Sequence, residues 1–129
     1  MSRDLRASRA RFCYDEVAAW AGKPWRQEAA QRVKGLPVQV RTQGLVVTLA
    51  MLMADDKTYT RHLADLLANW LLTAAPYRAL RGEGGATALT LLEACSKAPR
   101  VEYAAAQREA ILLLQQLKIF ADALHRAKD

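Results

Sequence analysis

The sequence predicts an all-α protein, a single compact bundle of about six helices closed by a long C-terminal helix. Three observations carry this expectation. Ala and Leu supply 25 and 19 of the 129 residues, against 2 Ile and 7 Val, and the scarce β-branched types are the ones strands favour and helices restrict. Apolar residues recur at helical spacing in one segment after another. Glycine and proline fall mainly between those segments, where helices start and stop. A chain of 129 residues lies well below the roughly 250 at which cores divide, so residues 1–129 are expected to form one helical domain without a disulfide or metal staple.

A first helix is expected from Arg3 to Ala21, capped by Ser2 and stopped by Gly22, Lys23 and Pro24. Phe12, Cys13, Val17 and Trp20 share its inner face. Arg3, Arg6 and Arg9 repeat every third residue opposite, a ladder that reads either as a solvated face or as a phosphate-tracking ridge. Pro24 suits the first turn of a second helix running to Lys34, where Gly35, Leu36 and Pro37 interrupt the pattern. Pro37 is expected to restart a third helix reaching Ala54. Its second half is apolar almost all round and belongs to the core, and Gly44 within it points to a close approach of another backbone.

Thr58 is the expected cap of a fourth helix, in which Tyr59, Leu63, Leu66, Leu67, Trp70 and Leu71 form the cleanest amphipathic stripe in the chain. Residues 77–85, with Arg78, Arg81, Glu83 and three glycines, read as a surface loop. A short fifth helix is expected over residues 87–96. Pro99 opens the last one, whose stripe includes Ala106, Ala110, Leu113, Leu114, Leu117, Phe120, Ala121 and Leu124. Ile111, Leu112 and Ile119 widen that stripe, so the helix is either wholly buried or turned partly toward another subunit.

The formal charge is +6, from 19 basic and 13 acidic residues. Residues 1–45 hold nine basic and four acidic groups, so most of the excess is N-terminal. A localised basic excess with a pI near 9.7 points toward a polyanion, most often nucleic acid. The N-terminal residues do not form a secretory signal. The longest apolar run, Leu45 to Ala54 broken by Thr48, is too short for a bilayer, which needs about 20 residues. A cytoplasmic protein without membrane association is therefore expected. Cys13 and Cys95 form no CxxC pair and read as reduced core thiols.

The chain holds no GxGxxG, GxxxxGK[ST], HExxH or GxSxG motif. Gly82, Gly84 and Gly85 follow no strand and lack a Walker lysine. His62 and Asp65 stand at i and i+3, the spacing of a base and its carboxylate, with no nucleophile placed to use them. His125, among Arg126 and Lys128 near a helix end, reads as a cation on the helix dipole. Asp55 and Asp56 lack the further oxygen ligands of a calcium loop. Neither a metal nor another cofactor is expected, nor a small-molecule substrate, and an enzyme is not indicated.

Two stretches carry a family resemblance. The segment GLPVQVRTQGLVVTLAML, residues 35–52, presents Leu36, Pro37, Val40, Gln43, Gly44, Leu45, Leu49 and Ala50; YAAAQREAILLLQQLKIFADAL, residues 103–124, presents Tyr103, Glu109, Ala110, Leu117, Lys118, Phe120, Ala121, Ala123 and Leu124. In this order and total length they resemble the small-subunit family of the type III-B (Cmr) CRISPR RNA-guided effector complex. Gln116 and Ile119 stand where that family often has Trp and Arg.

The resemblance implies a non-catalytic helical subunit that stacks in two or more copies beside the repeated backbone subunit, among the other Cmr effector subunits. It also implies contact with guide RNA and target RNA through phosphates, leaving sequence to base pairing and cleavage to other subunits. The candidate RNA-binding residues are Arg26, Arg32, Lys34 and Arg41, which flank the Leu36 and Pro37 break, followed by Arg108 and Lys118. The alternative is a helical protein-interaction adaptor without a specific nucleic-acid role, its last helix binding a partner and its charge maintaining solubility.

Overall fold

A computed structural model describes residues 5–74 and 85–128. The helices are α1 (Leu5–Ala19), α2 (Arg26–Gln43), α3 (Leu45–Asp55), α4 (Thr58–Asn69), α5 (Ala88–Lys97) and α6 (Arg100–Lys128), with a π-helical turn, Trp70–Ala74, continuing α4. The all-α architecture and the long last helix are as the sequence predicts. Ser2, Arg3 and most of the expected loop, including Arg78, Arg81 and Glu83, lie outside the described residues.

α6 is the axis of the bundle. α1 packs along it in parallel, with Arg9 bonded to Glu109 and Cys13 to Leu113. α2 packs along it in the opposite sense: Arg26 at its start meets His125, and Leu45 just past its end meets Gln107. α3, α4 and α5 close the remaining side. One contiguous core includes Trp20, Leu36, Leu49, Leu67, Leu91 and Leu113, each fully or almost fully buried.

The break expected at Gly35–Pro37 is instead at Gly44. α2 continues through Pro37 to Gln43, although an interior proline removes one helix hydrogen bond at a cost of about 3 kcal/mol. Burial of Val33, Leu36, Pro37 and Val40 along one face outweighs that local signal. Gly44 turns the chain with φ +94°, a conformation that a side chain disfavours. Among the described residues, side chains rather than the expected backbone come closest to it. A Cβ there would stand 3.4 Å from the Tyr103 hydroxyl and 3.6 Å from Gln107 Oε1, and these side chains accept hydrogen bonds from the amides of Val46 (3.1 Å) and Leu45 (3.0 Å). α6 thus caps α3, satisfying amides a helix start leaves open.

α4 begins after Lys57 rather than after a Thr58 cap. The Thr60 hydroxyl accepts from the Lys57 amide and donates to the Lys57 carbonyl, both at 2.9 Å. Thr87 caps α5, accepting from the Thr90 amide at 3.2 Å, and Asp65 of α4 accepts from the Ala88 amide at 3.1 Å.

Of the Arg ladder, Arg6 is exposed, whereas Arg9 leaves the outer face. Arg9 is 5 % exposed and forms a two-pronged pair with Glu109, itself 3 % exposed, at 2.7 and 2.8 Å. Glu109 Oε2 also accepts from the indole of Trp70 at 2.9 Å. A buried ion pair survives only with such complementary geometry, because each charge alone would carry a desolvation cost of several kcal/mol.

Both thiols are buried and free of any disulfide, as the sequence predicts. Burial pushes Cys13 from 9.0 up to about 12 and Cys95 up to about 11. The folded state therefore favours the neutral thiols, and their contribution is complete below the unfolded value of 9.0 and declines as pH rises toward those higher values.

Glu109→Ala leaves a buried guanidinium without its anion and is expected to cost about 3–5 kcal/mol in urea unfolding, whereas Arg9→Met/Glu109→Leu, which removes both charges, loses less. A single variant no less stable than the double would contradict this account. At pH 8 neither thiol of the native protein is expected to react appreciably with a thiol reagent, and both react after denaturation. Above about pH 9 the urea midpoint falls more steeply in the wild type than in Cys13→Ala/Cys95→Ala; rapid native labelling, or parallel pH curves, would contradict burial as the cause.

Candidate functional site

The antiparallel pairing of α2 with α6 creates a surface groove. Lys34 on α2 and Lys118 on α6 are exposed and line it together with Gln27, Gln31, Asp122 and His125. Residues seven apart return to nearly the same face of a helix, about 10 Å further along. Arg41, exposed in the last turn of α2, therefore continues the line of Lys34.

Arg26, the first residue of α2, is half-buried at the other end. Its guanidinium lies 2.6 Å from His125 Nδ1. A guanidinium has only donors, so in this hydrogen bond the imidazole nitrogen is the acceptor. His125 is thus tied to the start of α2 near the C-terminal end of α6.

The remaining candidates lie elsewhere. Arg32 is half-buried on the opposite flank of α2, beside Tyr59 of α4 and Glu28, with no hydrogen-bond partner for its buried Nε among the described residues. Arg108 is exposed on α6, but ten residues before Lys118 the helix has turned by roughly 80°, so the two side chains leave the axis in different directions. The structure accordingly gathers Lys34 and Lys118 around one depression, sets Arg26 at its end beside His125, aligns Arg41 with Lys34, puts Arg32 on the far side of Gln27 and Gln31 and separates Arg108. Gln27, Gln31 and His125 were not singled out for this groove from the sequence, because only the pairing of two distant helices brings them together.

Beyond the groove, the ends of α1, α2 and α6 enclose an apolar cleft of about 210 Å³. Its walls include Val17, Ala18 and Ala21 from the α1 end, Ala30 from α2, and Ala121 and Leu124 from α6. Ala30, Ala121 and His125 line both the cleft and the groove. The two depressions therefore adjoin, the groove carrying Lys34, Lys118 and Asp122 and the cleft mainly apolar walls with Arg26 among them.

His62 and Asp65, set at i and i+3, take separate roles. His62 Nε2 lies 3.1 Å from Glu16, its ring is 5.0 Å from that of Trp25, and Asp65 caps α5. Among the described residues no group of three or more His, Cys, Asp or Glu is arranged to hold a metal ion. No described helix is long and apolar enough to cross a membrane. On the solvent face of α6, Leu112 is 39 % and Ile119 64 % exposed, and Val101 78 %, so the last helix is not wholly buried.

The sequence profile of the family described as "CRISPR-associated protein (Cas_Cmr5)" matches residues 5–124. The chain belongs to the Cmr5 family. A crystal structure of a CRISPR-associated Cmr5 family protein from Thermus thermophilus is similar, with a TM-score of 0.77 and 28 % identity over 95 % of this chain and 98 % of that one. No curated protein sequence matches. Membership of the Cmr5 family makes the protein a subunit of a Cmr complex, associated with other Cmr subunits.

Proposed function

We propose that this Cmr5-family protein is the non-catalytic small subunit of a cytoplasmic type III-B ribonucleoprotein effector. Acting as one helical domain, it stacks beside the backbone subunits and with further copies of itself, and holds guide and target RNA by phosphate contacts that carry no sequence information. The observation that supports the RNA role best is the facing of Lys34 and Lys118 across the α2–α6 groove, with Arg26 at one end and Arg41 in line with Lys34. Ammonium groups on exposed, flexible stems suit phosphates of a backbone that need not adopt one fixed register. Asp122 tempers this charge, so the contact is weak for one subunit and gains strength when subunits are arrayed along a strand.

Arg32 and Arg108 belong to the same proposal only as outlying contacts, since they face other directions. The exposed Val101, Leu112 and Ile119 favour a stacking role, and they are also the observation behind the adaptor reading, in which α6 binds protein and the groove binds nothing.

In a reconstituted Cmr complex, Lys34→Gln/Lys118→Gln is expected to leave assembly and helicity intact and to weaken target-RNA retention at least several-fold at low salt. The slope of log affinity against log salt should become shallower by about 1–2, as for two lost phosphate contacts. Unchanged retention across the whole salt range would favour the adaptor.

A further inference from the structure

The cleft and groove together have the polarity of a nucleotide. The groove end offers two ammonium groups, from Lys34 and Lys118. The cleft end offers apolar walls where three helices converge on alanines, and the small methyl groups of Ala18, Ala21, Ala30 and Ala121 leave a space that larger residues would fill. At the rim the Arg26 guanidinium and the His125 ring, held together at 2.6 Å, are flat groups of the kind that stack on bases. Tyr14, 47 % exposed, lines the cleft as well and stands edge-on to Phe120 at 6.3 Å. A further observation is the indole of Trp20, which is 1 % exposed, lines the cleft and has no hydrogen-bond partner for its Nε1 among the described residues.

We propose that this cleft receives one unpaired base of an RNA strand whose adjoining phosphates lie along Lys34 and Lys118. The inference rests on the reading of the groove as a phosphate-holding surface and makes it more specific, since the ligand becomes single-stranded RNA with one nucleotide turned toward the protein. An apolar wall recognises the face that all bases share, so the site tolerates sequence. A base inside a duplex is stacked and paired on both sides, and extracting it costs a few kcal/mol that a cleft of this size does not restore fully. Duplex RNA therefore meets the lysines without using the cleft.

The test uses the full chain at low salt, titrated with three RNAs of equal length: a single strand carrying 2-aminopurine, the same strand made abasic throughout its central third, and a duplex. The intact single strand is expected to bind about tenfold more tightly than the abasic one, the range that stacking of one base commonly supplies, with a change in 2-aminopurine fluorescence. Ala21→Leu, and independently Ala18→Leu, both at solvent-exposed positions that line the cleft alone and do not load the core, should abolish that advantage and leave duplex affinity unaltered. Lys34→Gln/Lys118→Gln should weaken all three RNAs. Equal binding of intact and abasic strands, with the lysine variant still weakening both, overturns the base site and leaves the phosphate groove standing. No binding to any RNA removes both readings. Loss of Cmr assembly in the cleft-filling variants, with RNA affinity unchanged, overturns the base site in favour of a partner's apolar side chain.

Discussion

The placement of α1 and of the turn that ends α4 on the central helix α6 depends on the buried pair of Arg9 and Glu109. Its two prongs, at 2.7 and 2.8 Å, fix both the height and the rotation of α1 on α6, which apolar contact alone leaves loosely specified because alanine and leucine faces slide past one another with little penalty. The same carboxylate accepts the Trp70 indole N–H, so the turn that ends α4 is tied to the same point. With α1 set against α6 in this register, Val17, Ala18 and Ala21 come to stand opposite Ala121 and Leu124. The shape of the apolar cleft thus follows from a charge pair more than two helical turns away.

The fold class was legible because it depends on features that sequence expresses directly. The stripes of α4 and α6 run at helical spacing, and their residues Leu63, Leu67, Leu113 and Leu117 are buried. What misled was local chemistry overridden by packing. The Gly35–Leu36–Pro37 signal has a real cost, yet Val33, Leu36 and Val40 lie buried on one face and hold the helix through it. Arg9 was misplaced because a step of three residues falls short of a full turn by about 60°, so a three-residue ladder winds around the helix. Its third rung arrives at the face of Cys13 and Val17, at i+4 and i+8, and that relation was present in the sequence. Glu109, set among Ala106, Ala110 and Leu113, was the complementary sign.

The candidate site was legible only in its ingredients. Lys34 and Lys118 are ordinary lysines until α2 and α6 run antiparallel, and no property of either segment specifies that the two should face one another. Arg32 illustrates the converse. It is two residues from Lys34, close enough to be grouped with it in a sequence, but on a helix two residues lie about 200° apart, and the structure places it beside Tyr59.

The capping of α3 by Gln107 and Tyr103 has a consequence for how the protein behaves in its medium. These are neutral groups acting over 3.0 and 3.1 Å, and the Arg9–Glu109 pair is sheltered from water, so dissolved ions barely reach the contacts that set the architecture. The lysines of the groove, in contrast, stand in open solvent. Ionic strength therefore screens the charges of the groove while the scaffold remains indifferent to it, and the electrostatic character of this surface can be altered repeatedly by a change of electrolyte without the protein having to unfold and refold between rounds.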